Sequence, residues 1–527
     1  MYPASMAAVR PHAIAYVMAD GGHSLTYQEL EEHSNQLAHL LRKRGIGAGG
    51  TLILVAENRI EWPVILAAGM RAGLYVTPVN WHLTDVELRG VLAEALAGGG
   101  PAVIVTSAVR AEAVLAALGD VPARDGLFAL CLDDATGSLE SFAEAVAGQP
   151  RMPIQDEELG ARVLYSGGTT GRPRAYRQRL LGVHPLAAPP RHSELTARLG
   201  LNADSVFLSP APNYHAAPFT FQMIVLGLGG TVVCMERFDP EGALAAIERH
   251  RVSHSQWVPT MLLRLLRLDA HQRARYDLSS HRVAFTSGAP CPAELKAGVM
   301  DWWGPTLHEY YGSSEGYGHT YVSPEEALAR PGTVGRPLGG TVHIAAADGA
   351  KLPPRTVGKV WFGSSPAPHT NTVLDTNTGP YTNTGDDPNK VHPKGWRSVG
   401  DLGYLDEDGF LYLVGRESHT IISGGVNIYP TEIEEVLLTH PAVADAAVIG
   451  VPDAEFGEQV KAVVETRGQV DAEELAAELI ELCRARLARY KAPRSVDFAA
   501  RIPRTPAGKL NKNLLRDPYW MKDKDDV

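Results

Sequence analysis

The chain has 527 residues, too many for one ordinary domain and enough for roughly two to four. Hydrophobic residues make up 45% and charged residues 21%, the composition of a globular protein that buries its apolar surface without staples. Sixty acidic residues against 49 basic ones leave a net charge of −11, which argues against nucleic acid and anionic membrane as partners. A polyanionic ligand must therefore be held by local cations and backbone N–H groups.

In chain order, short β-branched runs alternate with Ala/Leu-rich segments of helical period. The helix Leu30–Arg44 precedes the strand Thr51–Val55, and the helix Asp85–Ala97 precedes the strand Ala102–Thr106. The strand Thr231–Cys234 is followed by the helix Pro240–His250. Strands apolar on both faces between helices imply a parallel sheet covered by helices. Near residue 340 the pattern shifts to the short strands Gly358–Phe362, Arg397–Leu405 and Phe410–Val414. The run Asp406–Gly409 gives a hairpin signal, and Thr370–Asn389 reads as an exposed insertion. A compact α+β pattern closes the chain: helix Thr431–Leu438, strands Ala442–Gly450 and Val460–Thr466, and helix Ala472–Leu487. The boundary falls at Arg416–His419, leaving a last domain of ~110 residues.

Cys131, Cys234, Cys291 and Cys483 form no CxxC pair, which excludes the common zinc-ribbon spacings and fits a reducing compartment. The N-terminus lacks a signal pattern, and the most apolar run, Phe221–Met235, is broken by Gln222 and three glycines. The expectation is a cytoplasmic protein with no membrane span, monomer or homodimer. No internal repeat stands out.

Five stretches carry the chemistry. Tyr165–Ala175 (YSGGTTGRPRA) is a Gly/Thr/Arg loop suited to an anion, yet it is neither a Walker A loop nor a dinucleotide fingerprint. Tyr311-Gly-Ser-Ser-Glu315 puts an acid at a strand-to-loop corner, and Gly395–Gly403 sets Asp401 between glycines. Gly415-Arg416 leads into Ile421–Glu434, and Arg501–Leu510 carries Lys509. In this order, the set resembles the adenylate-forming superfamily of acyl-CoA synthetases, adenylation domains and luciferases, over nearly the whole chain.

The resemblance implies a large N-terminal domain of layered α/β sheets plus a small distorted β-barrel over residues 1–415. It implies a hinge at 416–419 centred on Ser418, and a small mobile α+β domain over 420–527. It further implies ATP- and Mg²⁺-dependent formation of an acyl-adenylate, then transfer to CoA. Ser166, Gly167, Gly168, Thr169, Thr170, Gly171 and Arg174 would hold the β- and γ-phosphates. Ser314 would touch the α-phosphate, Gly312 and Ser313 beside it would belong to the same ATP/AMP site, and Glu315 would bind Mg²⁺. Asp401 would take the ribose hydroxyls with Arg416 in support. Tyr311 and Gly288-Ala289-Pro290 would sandwich the adenine. His215 would stand at the acyl pocket, and Lys509 would bridge the acid and the α-phosphate. Ser423, Gly424 and Gly425 would line the tunnel for the pantetheine arm.

Departures from the family pattern are specific. Gly167 and Arg174 stand where relatives have Ser and Lys, Ala175 replaces a glycine, and Ser418 replaces the hinge Asp or Lys. Trp396-Arg-Ser-Val-Gly-Asp401 stands for the usual W-F-x-T-G-D. No Asp lies in Tyr214–Phe219 to hold an α-amine, which disfavours amino acids. No carrier domain follows residue 527, which argues against a fused assembly-line module. Fatty, steroid and aryl acids are the expected substrates. The alternative is an adenylate passed to an amine, or activation of an oxyanion such as nitrite. Joint retention of Glu315, Asp401 and Lys509 argues against a non-catalytic nucleotide-binding protein.

Overall fold

The computed structural model describes residues 2–120, 126–166, 174–177, 180–187, 193–313, 316–346, 348–363, 391–424, 426–453, 455–505 and 509–525. Two compact units emerge. The first takes Met1–Ser287 and Ala297–Gly316; the second takes Gly288–Lys296, Tyr317–Pro366 and Pro388–Val527. The expected insertion Thr370–Asn389 lies outside the described residues.

The first unit holds two mainly parallel sheets. One runs Glu140–Ser141, Leu127–Cys131, Ala102–Thr106, Thr51–Val55, Tyr75–Pro78, Ala161–Ser166, Arg174–Arg177. Its central strands Thr51–Val55 and Ala102–Thr106 are buried almost throughout, as their unbroken apolar runs require. The helix Tyr27–Lys43 starts three residues before the expected Leu30. The Thr26 hydroxyl accepts from Glu29 N–H while the Glu29 carboxylate accepts from Thr26 N–H, and that capping box fixes the start.

The other sheet of this unit runs Ser24–Thr26, Ile14–Met18, Thr231–Cys234, Val206–Ser209, His254–Trp257, Val283–Thr286, Leu307–Gly312. Val206–Ser209 lies between Thr231–Cys234 and His254–Trp257, parallel to both. The strand order therefore reverses at Val206–Ser209. In open α/β sheets, the crevice at the carboxyl ends beside such a reversal is where ligands bind.

In the second unit, an antiparallel sheet runs Thr341–Ala345, Gly358–Gly363, Asp401–Leu405, Leu411–Arg416, Thr333–Leu338, His319–Val322. The expected strand Arg397–Leu405 shortens to Asp401–Leu405, leaving Arg397 in isolated bridges to Phe362 and Val391. Gly400, at φ +87°, breaks the run. The hairpin at Asp406–Gly409 forms as expected: Asp406 Oδ1 accepts from the N–H groups of Asp408 (3.0 Å) and Phe410 (2.8 Å).

The C-terminal α+β pattern also forms. Val443–Asp453 and Gly457–Thr466 pair antiparallel. The helices Pro430–Leu438 and Ala472–Arg486 cover one face through Ile433, Leu437, Leu475 and Leu479. The other face packs Ala447, Ile449 and Val463 against Ile502, with Leu515 and Tyr519 of the helix Lys512–Asp525 alongside. Among the described residues, no helix is long and apolar enough to cross a membrane.

Candidate active site

In the first unit, the strand Ala161–Ser166 pairs antiparallel with Arg174–Arg177, and Ser166 faces Arg174 across the ladder. The two strands bring together the ends of the glycine-rich loop. Gly167, Gly168, Thr169, Thr170 and Gly171 lie outside the described residues, as do Ser314, Glu315 and Gly425.

Tyr311 and Gly312 end the strand Leu307–Gly312, and Ser313 follows with its hydroxyl buried and no hydrogen-bond partner among the described residues. His215 occupies the N-cap position of the helix Ala216–Leu228, with its ring 4.3 Å from that of Tyr214. The loop from Ser209 to His215 leaves the carboxyl end of the strand at which the sheet order reverses. His215 therefore stands at the edge where the topology opens a crevice. Tyr310, half-buried on the strand Leu307–Gly312, has its phenol pushed up to about 12, chiefly by burial.

In the second unit, Gly288-Ala289-Pro290 is a bend after Val283–Thr286, with Gly288 at φ +85°. Asp401 and Arg416 are direct partners across two antiparallel strands. Arg416 Nε lies 3.1 Å from Asp401 Oδ1; the carboxylate is nearly buried, while the guanidinium side chain is 48% exposed. Ser418, also exposed, sits in the short 3₁₀ turn Glu417–His419, held by Glu417 N–H to Gly400 O (2.9 Å) and by the Lys359–Glu417 ion pair (2.9 Å). Beside it, burial and the cations Lys512, Arg416 and Arg516 hold His419 down to about 4. Lys509 is exposed, and its loop is closed by Thr505 N–H to Lys509 O (2.8 Å) and Lys509 N–H to Thr505 Oγ1 (3.1 Å).

Ser423 and Gly424 line a cavity of about 360 Å³ in the C-terminal lobe. Gly424, at φ +57°, has no room for a Cβ, which would meet Phe456 Cδ1 at 2.9 Å. Sequence reasoning missed the cationic part of that wall, Arg484, Arg489 and Arg494, with Tyr490 among them. Arg494 lies over the Phe456 ring at 4.4 Å and pairs with Asp453 at 3.2 Å, while Arg489 has no ion-pair partner among the described residues. The available signal was the dense run Arg484-Ala-Arg-Leu-Ala-Arg-Tyr-Lys491 in an otherwise acidic chain.

The AMP-binding enzyme model matches residues 4–367, and the AMP-binding enzyme C-terminal domain model matches 432–509. The chain belongs to the AMP-binding enzymes. It is 33% identical to a feruloyl-CoA synthase from an Amycolatopsis species, over 98% of both chains. Its fold is similar to ATP-bound MatB from Rhodopseudomonas palustris, with a TM-score of 0.79 and 26% identity over 98% of this chain and 99% of that one. It is also similar to the amide bond synthetase McbA from Marinactinospora thermotolerans, with a TM-score of 0.75 and 27% identity over 96% of each chain. The family membership makes this an ATP-using enzyme of the acid–CoA ligase type, and its fold is that of the adenylate-forming enzymes.

Among the described residues, no group of three His, Cys, Asp or Glu gathers to hold a metal. A magnesium ion carried on ATP needs no such cage, since one or two carboxylates with phosphate oxygens and water suffice. Glu315 is of the right chemical type. Bound there, the ion would neutralise phosphate charge.

Proposed function

We propose that this enzyme joins a carboxylic acid to ATP as acyl-AMP, releasing pyrophosphate, and then passes the acyl group to the thiol of CoA. Attack of a carboxylate on a phosphate brings two anions together, and unit charges ~4 Å apart repel by about 4 kcal/mol at an effective dielectric near 20. The loop Ser166–Arg174 holds the departing phosphates through its N–H groups, and Lys509 screens the reacting oxygens. Asp401 accepts from the ribose hydroxyls, oriented by Arg416, while Tyr311 and Gly288-Ala289-Pro290 take the adenine. Ser314 contacts the α-phosphate, and His215 borders the acid. The C-terminal lobe turns about Ser418 between the half-reactions, exchanging Lys509 for the Ser423-Gly424-Gly425 segment.

One observation carries the choice of acceptor. The cavity beside Ser423 and Gly424 is walled by Arg484, Arg489 and Arg494 and by the rings of Tyr490 and Phe456. Its surroundings expose Ile422 (55%), Val426 (44%) and Tyr490 (55%). Cations with apolar and aromatic surface suit a long thiol ending in a phosphorylated nucleotide, and a small amine has no use for them.

The test is pyrophosphate release with fatty, aryl and steroid acids, followed by mass detection of a thioester on adding CoA. Arg489→Glu should raise the KM for CoA at least ten-fold and leave ATP–pyrophosphate exchange intact. Pyrophosphate release without a thioester favours a second reading, transfer to an amine or activation of nitrite. Likeness to an amide bond synthetase and the replacements Arg174 and Ser418 support that alternative.

A further inference from the structure

At the carboxyl edge of the first unit's sheet, a chain of buried polar groups is well paired. Gln222, on the helix Ala216–Leu228, donates to Ser209 Oγ (2.8 Å) and Asn213 Oδ1 (2.6 Å). Asn213 in turn donates to Tyr16 Oη (3.1 Å), and Asn58 donates to the carbonyls of Ala211 (3.1 Å) and Met235 (2.8 Å). Two neighbours break this rule. Gln256 is 2% exposed and Tyr214 is 6% exposed, yet Gln256 Oε1 and the Tyr214 hydroxyl have no hydrogen-bond partner among the described residues.

The register shows where Gln256 lies. Gln256 is the parallel-strand partner of Phe285, so both side chains leave the same face of the sheet. The Phe285 ring meets Phe221 of the helix Ala216–Leu228 at 4.5 Å, which identifies that face as the one the helix covers. Ser209, one rung beyond the Leu208–Ser255 pair, faces the same helix through Gln222. Gln256 thus sits next to the last residue of its strand, beside the strand reversal and on the face that the helix Ala216–Leu228 covers with Phe221 and Gln222. Tyr214 lies in the loop that leaves the same reversal.

A buried acceptor left unpaired forfeits its full hydration, and native chains rarely retain one without a use. We infer that Gln256 and Tyr214 are specificity-determining residues, and that the acid carries a hydroxyl or amino group on its body. Its donor pairs with Gln256 Oε1, and an oxygen of the same acid accepts from Tyr214. This inference rests on the acid-activation reading. A plain alkyl chain at this position leaves both groups unsatisfied, and a site built to hydrogen-bond a hydroxyl rejects analogues that lack one far better than an apolar slot discriminates by size.

The experiment compares wild type with Gln256→Met and Tyr214→Phe by ATP–pyrophosphate exchange. The substrate pairs are p-hydroxycinnamate with cinnamate and ω-hydroxylaurate with laurate, and each protein is also melted without ligand. The expected result is a wild type that prefers the hydroxylated member of at least one pair. Gln256→Met should lose kcat/KM for that member at least ten-fold, stay within about two-fold for its parent acid, and keep its KM for ATP. Tyr214→Phe should show the same selectivity. The melting temperature of Gln256→Met should hold or rise, because an unpaired acceptor has been removed. Equal loss on both members, a wild type that prefers the unhydroxylated acids, or a melting temperature lowered by several degrees overturns the inference alone. A wild type silent with every acid overturns the activation reading itself.

Discussion

Replacing Asp401 by Asn tests whether this carboxylate grips the ribose. In the protein it is 7% exposed, opposite Arg416 Nε at 3.1 Å. Arg416 is 48% exposed, so the pair itself contributes at most about 1 kcal/mol to stability, and the variant should fold. The melting temperature should move by no more than ~4 °C. Binding is another matter. A hydrogen bond to an ionised group contributes roughly 1.5–3 kcal/mol. Asn keeps only one acceptor oxygen, uncharged, and brings an N–H₂ donor where the carboxylate's second oxygen had faced the ribose. The loss of about 1.5–3 kcal/mol corresponds to a KM for ATP raised roughly 10- to 100-fold. The assay is ATP–pyrophosphate exchange with ATP and 2′-deoxy-ATP. Wild type should discriminate against the deoxy nucleotide, and Asp401→Asn should treat the two more nearly alike. An unchanged KM for ATP, or undiminished discrimination in a folded variant, refutes the ribose assignment.

Four further outcomes are expected. Lys509→Ala should cut adenylation by ~10²-fold or more while sparing thioester formation from preformed acyl-AMP; equal loss in both half-reactions refutes the alternation of the C-terminal lobe. Gly335→Ala should destabilise by about 3 kcal/mol or more in urea melts. Its Cβ would lie 1.9 Å from Tyr321 O at φ +91°, and a melt within error of wild type contradicts that packing. Burial first, then Glu294, Glu434 and Glu432, raise the Glu435 carboxyl from 4.5 to about 7 despite Lys296. Its contribution to stability is therefore full below pH 4.5 and lost as pH rises through 7. Glu435→Gln should thus raise the melting temperature at pH 8 by a few degrees and leave it unchanged at pH 4; the reverse pattern refutes the assignment. Phe456→Ala should weaken CoA binding by removing the ring beneath Arg494, measured as KM for CoA at constant KM for ATP.

The helices and buried strands of the first unit were legible because their apolar period matches the geometry of the element. Thr51–Val55 and Ala102–Thr106 appear with the expected bounds, since a strand buried on both faces needs an unbroken apolar run. Boundaries failed where a local hydrogen bond or a glycine outweighed the period. Thr26 and Glu29 moved one helix start earlier, and Gly400 cut the strand before Asp401. Sequence reasoning also found the Asp406 turn, whose side chain hydrogen-bonds its own backbone two and four residues on and needs no distant partner.

What the sequence determined by itself was the family, the ordered motifs and the residue types suited to ATP chemistry, because these depend on short stretches with fixed local spacing. The tertiary structure alone decided which distant residues meet. Asp401 faces Arg416 because two antiparallel strands register them as partners. Arg484, Arg489 and Arg494 share one cavity with Ser423 and Gly424 although some sixty residues separate them. Gln256 became notable only once its strand was known to flank the reversal, with its carboxamide oxygen buried and unpaired. Burial and pairing belong to the packed chain, since no residue carries them alone; they arise from contacts that sequence spacing does not encode.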